Sequence, residues 1–243
     1  MEKLIAGAKK IGLKLSPRQL EQFQLYYQEL LDWNQRINLT AITSYQDVQI
    51  KHFLDSLTVT LAFKPMTMTI KPRIIDVGTG AGLPGLPLKI LFPEIKLLLL
   101  EATTKKAVFL RHLCAILKLD NVEILASRSE EIAHLAQYRE QSNIALARSV
   151  APLPVLVELT LPFCAVGGSL IAQKKGDITS EISQADRAIK LMGGELQEVK
   201  AINLAELPDE HQLLIIEKVS PTPQQYPRHP GIPAKRPLLN LGN

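Results

Sequence analysis

Residues 73–87 read R-I-I-D-V-G-T-G-A-G-L-P-G-L-P, and this stretch decides the fold. Arg73–Val77 supplies β-branched residues for a short buried strand, with Asp76 near its carboxyl end. Glycines follow at alternate positions, and the apolar run Leu83–Leu91 can form a helix. Glycine lets a backbone turn tightly and approach a ligand closely, because no Cβ intervenes. The stretch therefore predicts a strand, a tight turn and a helix at the ligand-binding edge of a parallel sheet.

The glycine spacing separates two kinds of cofactor site. A dinucleotide fingerprint G-x-G-x-x-G from Gly78 needs a sixth-position glycine where Leu83 stands. The frame from Gly80 fits, but it places Pro84 at the start of the helix and leaves Asp76 without a role. The frame D-V-G-T-G-A-G matches the acidic-x-Gly-x-Gly-x-Gly pattern of S-adenosylmethionine-dependent methyltransferases. We interpret Asp76, Gly78 and Gly80 as cofactor-binding, with Asp76 facing the methionine ammonium group; a structural turn without a ligand is the alternative.

Composition favours an intracellular globular enzyme. The chain has 243 residues, 46% of them hydrophobic, which is enough for one α/β domain with an appendage. Cys114 and Cys164 lie far apart in apolar segments, so free buried thiols are expected rather than a disulfide. No signal peptide is visible, and Glu158, Pro162 and a glycine pair interrupt the most apolar stretch. The sequence predicts a soluble cytoplasmic protein without a membrane or metal partner.

Positive charge is concentrated at the C-terminus. The net charge is +4, and residues 218–243 contain four basic and no acidic side chains, which leaves the preceding chain neutral. A basic tail indicates a polyanionic partner, because phosphate contacts release counterions. We therefore predict that Arg228, Lys235 and Arg236 contact RNA, with a merely solvated tail as the alternative.

The N-terminal region is predicted to be helical and to carry polar candidates. Ser16 begins one helix with a capping box to Gln19. A later helix places His52 and Asp55 on one face, beside a serine hydroxyl. A catalytic triad is rejected because no strand-to-helix elbow presents a nucleophile. A polar cluster that joins the helical segment to the sheet is favoured, and Asn38 is either a turn residue or a contact near the ligand.

Three polar residues follow predicted strands two and three. Glu101 ends the leucine-rich second strand, where a carboxylate can hold the hydroxyl pair of a ribose. Ser129 and Glu130 follow the third strand, and they either frame an adenine edge or cap the helix that starts at Glu131.

The fourth predicted strand ends at Arg148, on the side of the sheet where methyltransferases bind substrate. The Asn/Asp-Pro-Pro-aromatic motif typical of exocyclic-amine methylation is absent there, and neither cysteine stands near the site. A ring nitrogen such as guanine N7 offers its lone pair, so transfer to it needs alignment more than a general base. The sequence is compatible with N7 transfer.

The remaining elements complete a seven-stranded doubly wound, class I (Rossmann-like) methyltransferase sheet with an N-terminal helical extension. Strand five covers Gly168–Gln173, Lys174 lies on the same rim as Arg148, and the last two strands form an antiparallel pair. We predict a helical segment over 1–66, a methyltransferase core over 67–220 and a basic proline-rich tail over 221–243. Residues 221–237 are rich in proline and are expected to be extended on the surface rather than helical.

Five motifs together resemble one family. They are N-L-T (38–40), K-H-F-L-D-S-L (51–57), D-V-G-T-G-A-G-L-P-G-L-P (76–87), A-R-S-V-A-P-L (147–153) and Y-P-R-H-P-G-I-P-A-K-R-P-L (226–238). This set is similar to the RsmG/GidB family, guanine-N7 methyltransferases of small-subunit (16S) ribosomal RNA. The likeness runs over nearly the whole chain in the family's order.

The resemblance implies residue roles as well as an activity. It implies S-adenosylmethionine contacts from Gly78, Leu83, Glu101, Ser129, Glu130 and Arg148. It also implies that Asn38, His52, Lys174 and Arg236 lie toward the substrate, with Arg148, Lys174, His52 and Asn38 as the catalytic group. The implied partner is ribosomal RNA, within the small ribosomal subunit.

Two other function classes remain as alternatives. A methyltransferase with a small-molecule or protein acceptor is expected to keep its activity when 220–243 is deleted. A nicotinamide dehydrogenase or a non-catalytic RNA-binding module is distinguished by whether the protein binds NAD or S-adenosylhomocysteine.

Overall fold

The computed structural model describes residues 1–63, 71–207 and 210–240. The α-helices are α1 (Glu2–Lys10), α2 (Pro17–Asn34), α3 (Tyr45–Asp47), α4 (Asp55–Thr58), α5 (Gly85–Leu91), α6 (Thr104–Ile116), α7 (Ser129–Ile132), α8 (Leu153–Thr160), α9 (Thr179–Leu191) and α10 (Ile232–Lys235). A π-helical segment, Val48–Leu54, joins α3 to α4, and 3₁₀ turns cover Val59–Ala62 and Leu161–Phe163.

The strands form one mixed sheet. They are β1 (Arg73–Val77), β2 (Lys96–Leu100), β3 (Val122–Leu125), β4 (Ser142–Arg148), β5 (Cys164–Lys175), β6 (Gly194–Ile202) and β7 (His211–Lys218). Within the described ranges the sheet has seven strands in the order β3-β2-β1-β4-β5-β7-β6. Strands β1 to β5 are parallel, and β7 runs antiparallel to both β5 and β6. The predicted fold class and the antiparallel final pair are confirmed.

The strand order reverses between β1 and β4, and this creates the binding crevice. From β1 the chain continues outward to β2 and β3, then returns to place β4 on the other side of β1. Crossovers on opposite sides leave a gap at the carboxyl ends of these two strands, where open α/β sheets hold ligands. The glycine turn follows β1, and Arg148 ends β4.

Alternation along the strands divides the core into two layers. Ile74 faces a cluster that includes the N-terminal helices, whereas Ile75 faces one that includes α8 and α9. Successive side chains of a strand point to opposite faces, so a strand buried on both faces is apolar throughout. This explains the continuous apolar run Leu97–Leu100 of β2 and the adjacent isoleucines of β1.

The N-terminal helices pack directly against the glycine turn. The predicted capping box is present: Gln19 N donates to Ser16 Oγ over 3.3 Å, and Ser16 N donates to Gln19 Oε1 over 2.8 Å. Further along α2, the buried Tyr26 donates a 2.6 Å hydrogen bond from its hydroxyl to the carbonyl of Ala81. The N-terminal helices therefore contact the glycine turn and support it through Tyr26.

Helix α6 is oriented differently from the prediction. The apolar spacing over 105–119 predicts a helix with Val108 and Ile116 facing inward together with Leu110, Leu113 and Leu117. In the structure, Val108 and Ile116 are 46% and 38% exposed. Ala107 and Phe109 are buried instead, beside the leucines. Val108 and Ile116 lie eight residues apart, hence on one helix face, and that face is turned to solvent.

The C-terminal tail is also more structured than predicted. The expectation of an extended surface segment over 221–237 is wrong in two respects. Residues 232–235 form the short helix α10. Pro233 lies in its first turn, where a helix accepts proline. Thr222, Pro227 and Pro233 are buried rather than exposed.

The boundary predicted between residues 66 and 67 lies outside the described residues, and the three-part division stays a prediction. No helix among residues 1–63, 71–207 and 210–240 is long and apolar enough to cross a membrane.

At one edge of the sheet, the pairing of β6 with β7 is irregular between Leu196 and Glu198.

Candidate active site

The turn after β1 uses the left-handed conformations that glycine allows. Gly78, Gly80 and Gly82 have φ angles of +68°, +60° and +93°. The backbone N–H groups of Gly78 and Thr79 donate to the carbonyl of Leu100 over 2.8 and 3.2 Å, which fixes the turn to β2. The turn is thus set by the sheet that it follows.

Asp76 lies beneath this turn. Its Oδ2 accepts hydrogen bonds from the Thr79 hydroxyl over 2.7 Å and from Gly85 N over 2.8 Å. Burial raises the pKa of Asp76 to about 6, against the lowering effect of those hydrogen bonds. The residue is 0% exposed, and its Oδ1 has no hydrogen-bond partner. Asp76 therefore organises the turn in this structure, and its predicted contact with a cofactor ammonium group stays a prediction.

Glu101 supports the turn from the neighbouring strand. Its Oε2 accepts a 2.9 Å hydrogen bond from Gly80 N, and its Oε1 accepts a 2.8 Å bond from Thr103 N. The predicted contact with a ribose is not tested by this geometry. What it shows is that the carboxylate lies within hydrogen-bond distance of the turn's backbone.

Two cavities meet at the glycine turn, and Gly78 lines both. The first is a cleft of about 470 Å³ between the turn and the N-terminal segment. Its walls include Gly80, Leu83, Arg148 and the side chains of His52 and Lys174. The second, of about 260 Å³, lies on the other side of the turn. It is enclosed by Leu100, Ala102, Ser129, Glu130, Val155 and the tail residues Gly231, Pro233 and Ala234.

The shape of this pair of cavities fits S-adenosylmethionine. A Cβ built on Gly80 meets nothing within 4 Å, so the turn presents an open backbone to the cleft. The smaller cavity has apolar walls and a few polar groups, a combination typical of nucleoside-sized pockets. The cleft is more polar and carries cations. We propose that the nucleoside would occupy the smaller cavity, with the methionine end beside Gly78 and Gly80.

Ser129 and Glu130 open helix α7 at the smaller cavity. The Ser129 hydroxyl donates a short hydrogen bond to the carbonyl of Leu159. Glu130 Oε1 accepts a 3.0 Å hydrogen bond from Gly231 N. Both residues line the cavity, so their predicted place beside the cofactor is possible, and the predicted adenine contact stays a prediction.

A polar cluster centred on Asp55 closes the floor of the larger cleft. Asp55 Oδ2 accepts from Arg148 Nη1 over 2.9 Å, and Oδ1 accepts from His211 Nδ1 over 2.8 Å. Gln173 Nε2 donates to the Asp55 carbonyl over 2.7 Å. These three partners come from the ends of β4, β5 and β7, so one carboxylate from α4 joins the helical segment to the sheet. The sequence predicted a junction cluster but not His211 or Gln173.

Burial and hydrogen bonding act in opposite directions on Asp55. Burial alone raises the pKa of this carboxyl. The hydrogen bond from His211 and the positive charge of Arg148 outweigh burial, and the pKa is lowered from its ordinary value. Asp55 is therefore an anion that positions Arg148 at the rim of the cleft.

His52 faces the cleft as a neutral ring. Burial, with the positive charge of Arg148, lowers its pKa to about 4. Its Nδ1 lies 3.1 Å from the Lys51 carbonyl and must donate to it, so Nε2 accepts from the Thr40 hydroxyl over 2.7 Å. The imidazole is held between two partners and is poorly placed to act as a general base.

Replacing His52 is expected to change how stability depends on pH. The folded pKa of about 4 lies below the unfolded value of about 6.5, so protons bind preferentially to the unfolded chain. The wild type should lose stability, relative to His52→Asn, as the pH falls from about 6.5 to about 4. Urea denaturation of both proteins at several pH values gives the difference between their free energies of unfolding. Contributions from groups that the two proteins share cancel in that difference. Parallel curves for the two proteins would contradict the assignment.

Lys174 and Asn38 differ in their placement. Lys174 lines the cleft, but its Nζ donates to Glu181 Oε1 over 2.6 Å and to the Ala151 carbonyl over 3.0 Å. Asn38 is exposed in a segment whose neighbours Leu39 and Thr40 line the cleft, while Asn38 itself does not. Lys174 is thus at the predicted rim, and Asn38 is beside it.

The three predicted RNA-binding residues have two different environments. Lys235 and Arg236 are exposed on and just after α10. The guanidinium of Arg228 instead contacts Glu158, with its Nη2 2.6 Å from Oε2 and its Nε 2.9 Å from Oε1. Two charge-assisted hydrogen bonds hold Arg228 against the core, and its predicted RNA contact stays a prediction.

The two cysteine thiols are candidate nucleophiles and, with histidines and carboxylates, candidate metal ligands. Cys114 and Cys164 are free and buried, as predicted, and burial raises the pKa of each thiol to about 12. Thiols of this kind are poor nucleophiles. In the part of the chain that the structure describes, no group of three or more histidines, cysteines or carboxylates could hold a metal ion.

Solved structures share this fold. A mutant of MtNAS in complex with S-adenosylmethionine superposes with a TM-score of 0.54 at 12% identity, covering 83% of this chain and 76% of that one. A mutant 16S rRNA (adenine(1408)-N(1))-methyltransferase from Catenulisporales acidiphilia gives 0.51 at 13% identity, covering 66% and 94%. The sheet order, with the glycine turn at its switch point, is the class I (Rossmann-like) methyltransferase fold.

Sequence comparison identifies the family. The family model "GidB: rRNA small subunit methyltransferase G" matches residues 19–212. The ribosomal RNA small subunit methyltransferase G of Dehalococcoides mccartyi strain CBDB1 is 52% identical over 239 residues, covering 98% of this chain and 100% of that protein. The protein of the same name from Roseiflexus castenholzii is 44% identical, with the same coverage. The chain belongs to the GidB family, as its motifs indicated.

Proposed function

We propose that this protein transfers a methyl group from S-adenosylmethionine to N7 of a specific guanosine in small-subunit (16S) ribosomal RNA. We place the reaction in the cytoplasm, with the small ribosomal subunit as the natural setting. Membership of the GidB family supports the acceptor. The observation that carries the proposal is a cationic cleft directly beside the cofactor turn, bordered by Lys51, Lys106, Arg148 and Lys175.

The charge of the cleft suits a nucleic-acid substrate. Phosphate contacts by lysine and arginine supply most sequence-independent affinity for RNA. Lys51 comes from the helical segment and Lys106 from α6, so both elements contribute positive charge to the cleft. The exposed Lys235 and Arg236 extend positive charge along the tail.

The chemistry asks little of the protein beyond alignment. S-adenosylmethionine supplies a methyl group on a sulfonium centre. Guanine N7 attacks with its own lone pair, the carbon–sulfur bond breaks, and the products are 7-methylguanosine and S-adenosylhomocysteine. No proton has to be removed from N7, so a neutral His52 and an ion-paired Lys174 are compatible with this reaction. We assign them, with Arg148, to shaping the cleft and orienting the base.

A methyl-transfer assay tests the proposal. Labelled S-adenosylmethionine is incubated with small subunits that lack the modification, and the RNA is digested to nucleosides. We expect label in 7-methylguanosine at one position. Naked 16S RNA in parallel shows whether the assembled subunit is required. Label in another nucleoside would overturn the N7 assignment, and transfer to protein or a small molecule would establish the alternative acceptor class.

Calorimetry separates the cofactor classes independently of the acceptor. The protein is titrated with S-adenosylhomocysteine and, separately, with NAD. Binding of S-adenosylhomocysteine alone is the expected result. Binding of NAD alone would contradict the assignment of the glycine frame, because it would require a pyrophosphate to sit at this turn.

A further inference from the structure

The C-terminal tail is bound to the core by its backbone. Arg139, which is buried, donates from its guanidinium to three tail carbonyls: those of Thr222 over 2.8 Å, Pro223 over 3.1 Å and Tyr226 over 2.9 Å. His134 Nε2 donates to the Pro227 carbonyl over 2.8 Å. Side chains that grip a backbone at successive points hold it in a single path. The tail therefore has a fixed course over the core.

An ion pair fixes the tail at the next position. Glu158 on α8 is 0% exposed, and it accepts from Arg228 through the backbone N–H as well as the guanidinium, with distances of 2.6 to 2.9 Å. A buried carboxylate is costly unless it is paired in this way, so removing either partner weakens the attachment of the tail at this point. The pair is placed where α8 borders the smaller cavity, which Val155 and Leu159 of that helix line.

The chain turns into the cavity three residues later. Gly231 has a φ of +82°, its N–H donates to Glu130 Oε1, and it lines the cavity with Pro233 and Ala234. Glu130 is one of the residues assigned to the cofactor. The same carboxylate thus contacts the tail and borders the space assigned to the nucleoside.

We propose that residues 222–235 form a permanent wall of the nucleoside cavity, positioned by the Glu158–Arg228 pair, so that the tail contributes to cofactor affinity. The proposal rests on the proposed function, since the cavity must take the cofactor. It changes the meaning of the tail: Lys235 and Arg236 can serve RNA, while the preceding residues serve S-adenosylmethionine. The sequence suggested that deleting 220–243 would distinguish an RNA acceptor from a small-molecule acceptor. If the tail forms a wall of the cavity, the deletion cannot do so, because methyl transfer to every acceptor would lose that wall.

Two substitutions test the wall. Ala234→Phe adds bulk at an exposed position that lines the cavity, and Glu158→Gln removes the charge that positions Arg228. We expect each to weaken S-adenosylhomocysteine binding by about fivefold or more, measured by calorimetry. The control is Asp186→Asn, which neutralises an exposed carboxylate paired with Lys190 on α9 and should leave the affinity unchanged.

The outcomes distinguish the two proposals. Circular dichroism and urea denaturation report whether each variant is folded, and if Glu158→Gln is not, Ala234→Phe decides alone. If the folded variants bind S-adenosylhomocysteine as tightly as the wild type, the proposal that the tail forms a wall of the cavity is overturned. This holds whether or not their KM for RNA rises. Failure of the wild type itself to bind S-adenosylhomocysteine would instead overturn the proposed function.

Discussion

Gly80→Ala is expected to weaken binding of S-adenosylhomocysteine by about 100-fold or more, whereas Gly167→Ala should leave it unchanged. The two glycines are matched. Both have positive φ angles, +60° and +85°, and a Cβ on either meets no protein atom within 4 Å. Each alanine therefore carries a similar backbone cost of about 1–2 kcal/mol. Only Gly80 lines the cleft, so only its methyl group would occupy space that the cofactor needs.

Gly78 is a less informative position than the sequence suggested. The glycine pattern predicts that Gly78→Ala puts a Cβ where the cofactor approaches the backbone and so abolishes cofactor binding. In the structure, a Cβ on Gly78 would lie 2.9 Å from Cγ2 of Val150, so the substitution strains the protein itself. A loss of binding there would not separate obstruction from distortion.

Calorimetry gives the affinities of the two alanine variants, and urea denaturation gives their stabilities. Similar losses of stability with very different affinities would support the cofactor site. Equal affinities for Gly80→Ala and Gly167→Ala, both folded, would remove the glycine turn from the binding site.

Asp55→Ala is expected to lower the free energy of unfolding by about 3–5 kcal/mol, because it leaves Arg148 without its buried partner. The same change removes the carboxylate that accepts from His211 Nδ1 at the start of β7, whereas the Asp55 carbonyl that accepts from Gln173 is retained. The control is Asp32→Ala, which removes an exposed partner of Arg36 and should cost less than about 1 kcal/mol. Urea denaturation at pH 7 measures both. A cost for Asp55→Ala as small as that of the control would show that the cluster does not join helix to sheet.

The effect of Asp55 should also disappear in acid. Its folded pKa is lowered, so the carboxylate contributes stability above its ordinary pKa of about 4 and loses that contribution as the pH falls through the folded value. The stability difference between wild type and Asp55→Ala is expected to shrink below about pH 4. A difference that stayed constant down to pH 3 would show that packing, not charge, is what the substitution removes.

Local features of this chain were predictable because they depend on neighbours in sequence. The capping box at Ser16, the strand–turn–helix unit at Gly78 and the apolar strands depend on residues within a few positions of each other. The prediction of which face of α6 is buried was wrong, because Val108 and Ile116 are apolar but no other element covers them. Apolar spacing alone could not reveal that.

The contacts that define the site are distant in sequence. Asp55 and His211 are 156 residues apart, and Arg139 reaches a carbonyl 87 residues away. Neither pairing leaves a local pattern, so the sequence indicated a polar junction and a basic tail without their partners. The charge count likewise could not reveal that Arg228 pairs with the buried Glu158.

The irregular pairing of β6 with β7 bears on how the protein behaves at high concentration. A flat, unpaired edge strand is a template for joining a second chain. At one edge of this sheet the ladder is interrupted beside Leu196, and the edge strand carries Glu195, Glu198 and Lys200. At the other edge β3 has only 4 residues. Interruptions, charges and short length all oppose strand addition, so growth of the sheet into fibres is disfavoured at both ends.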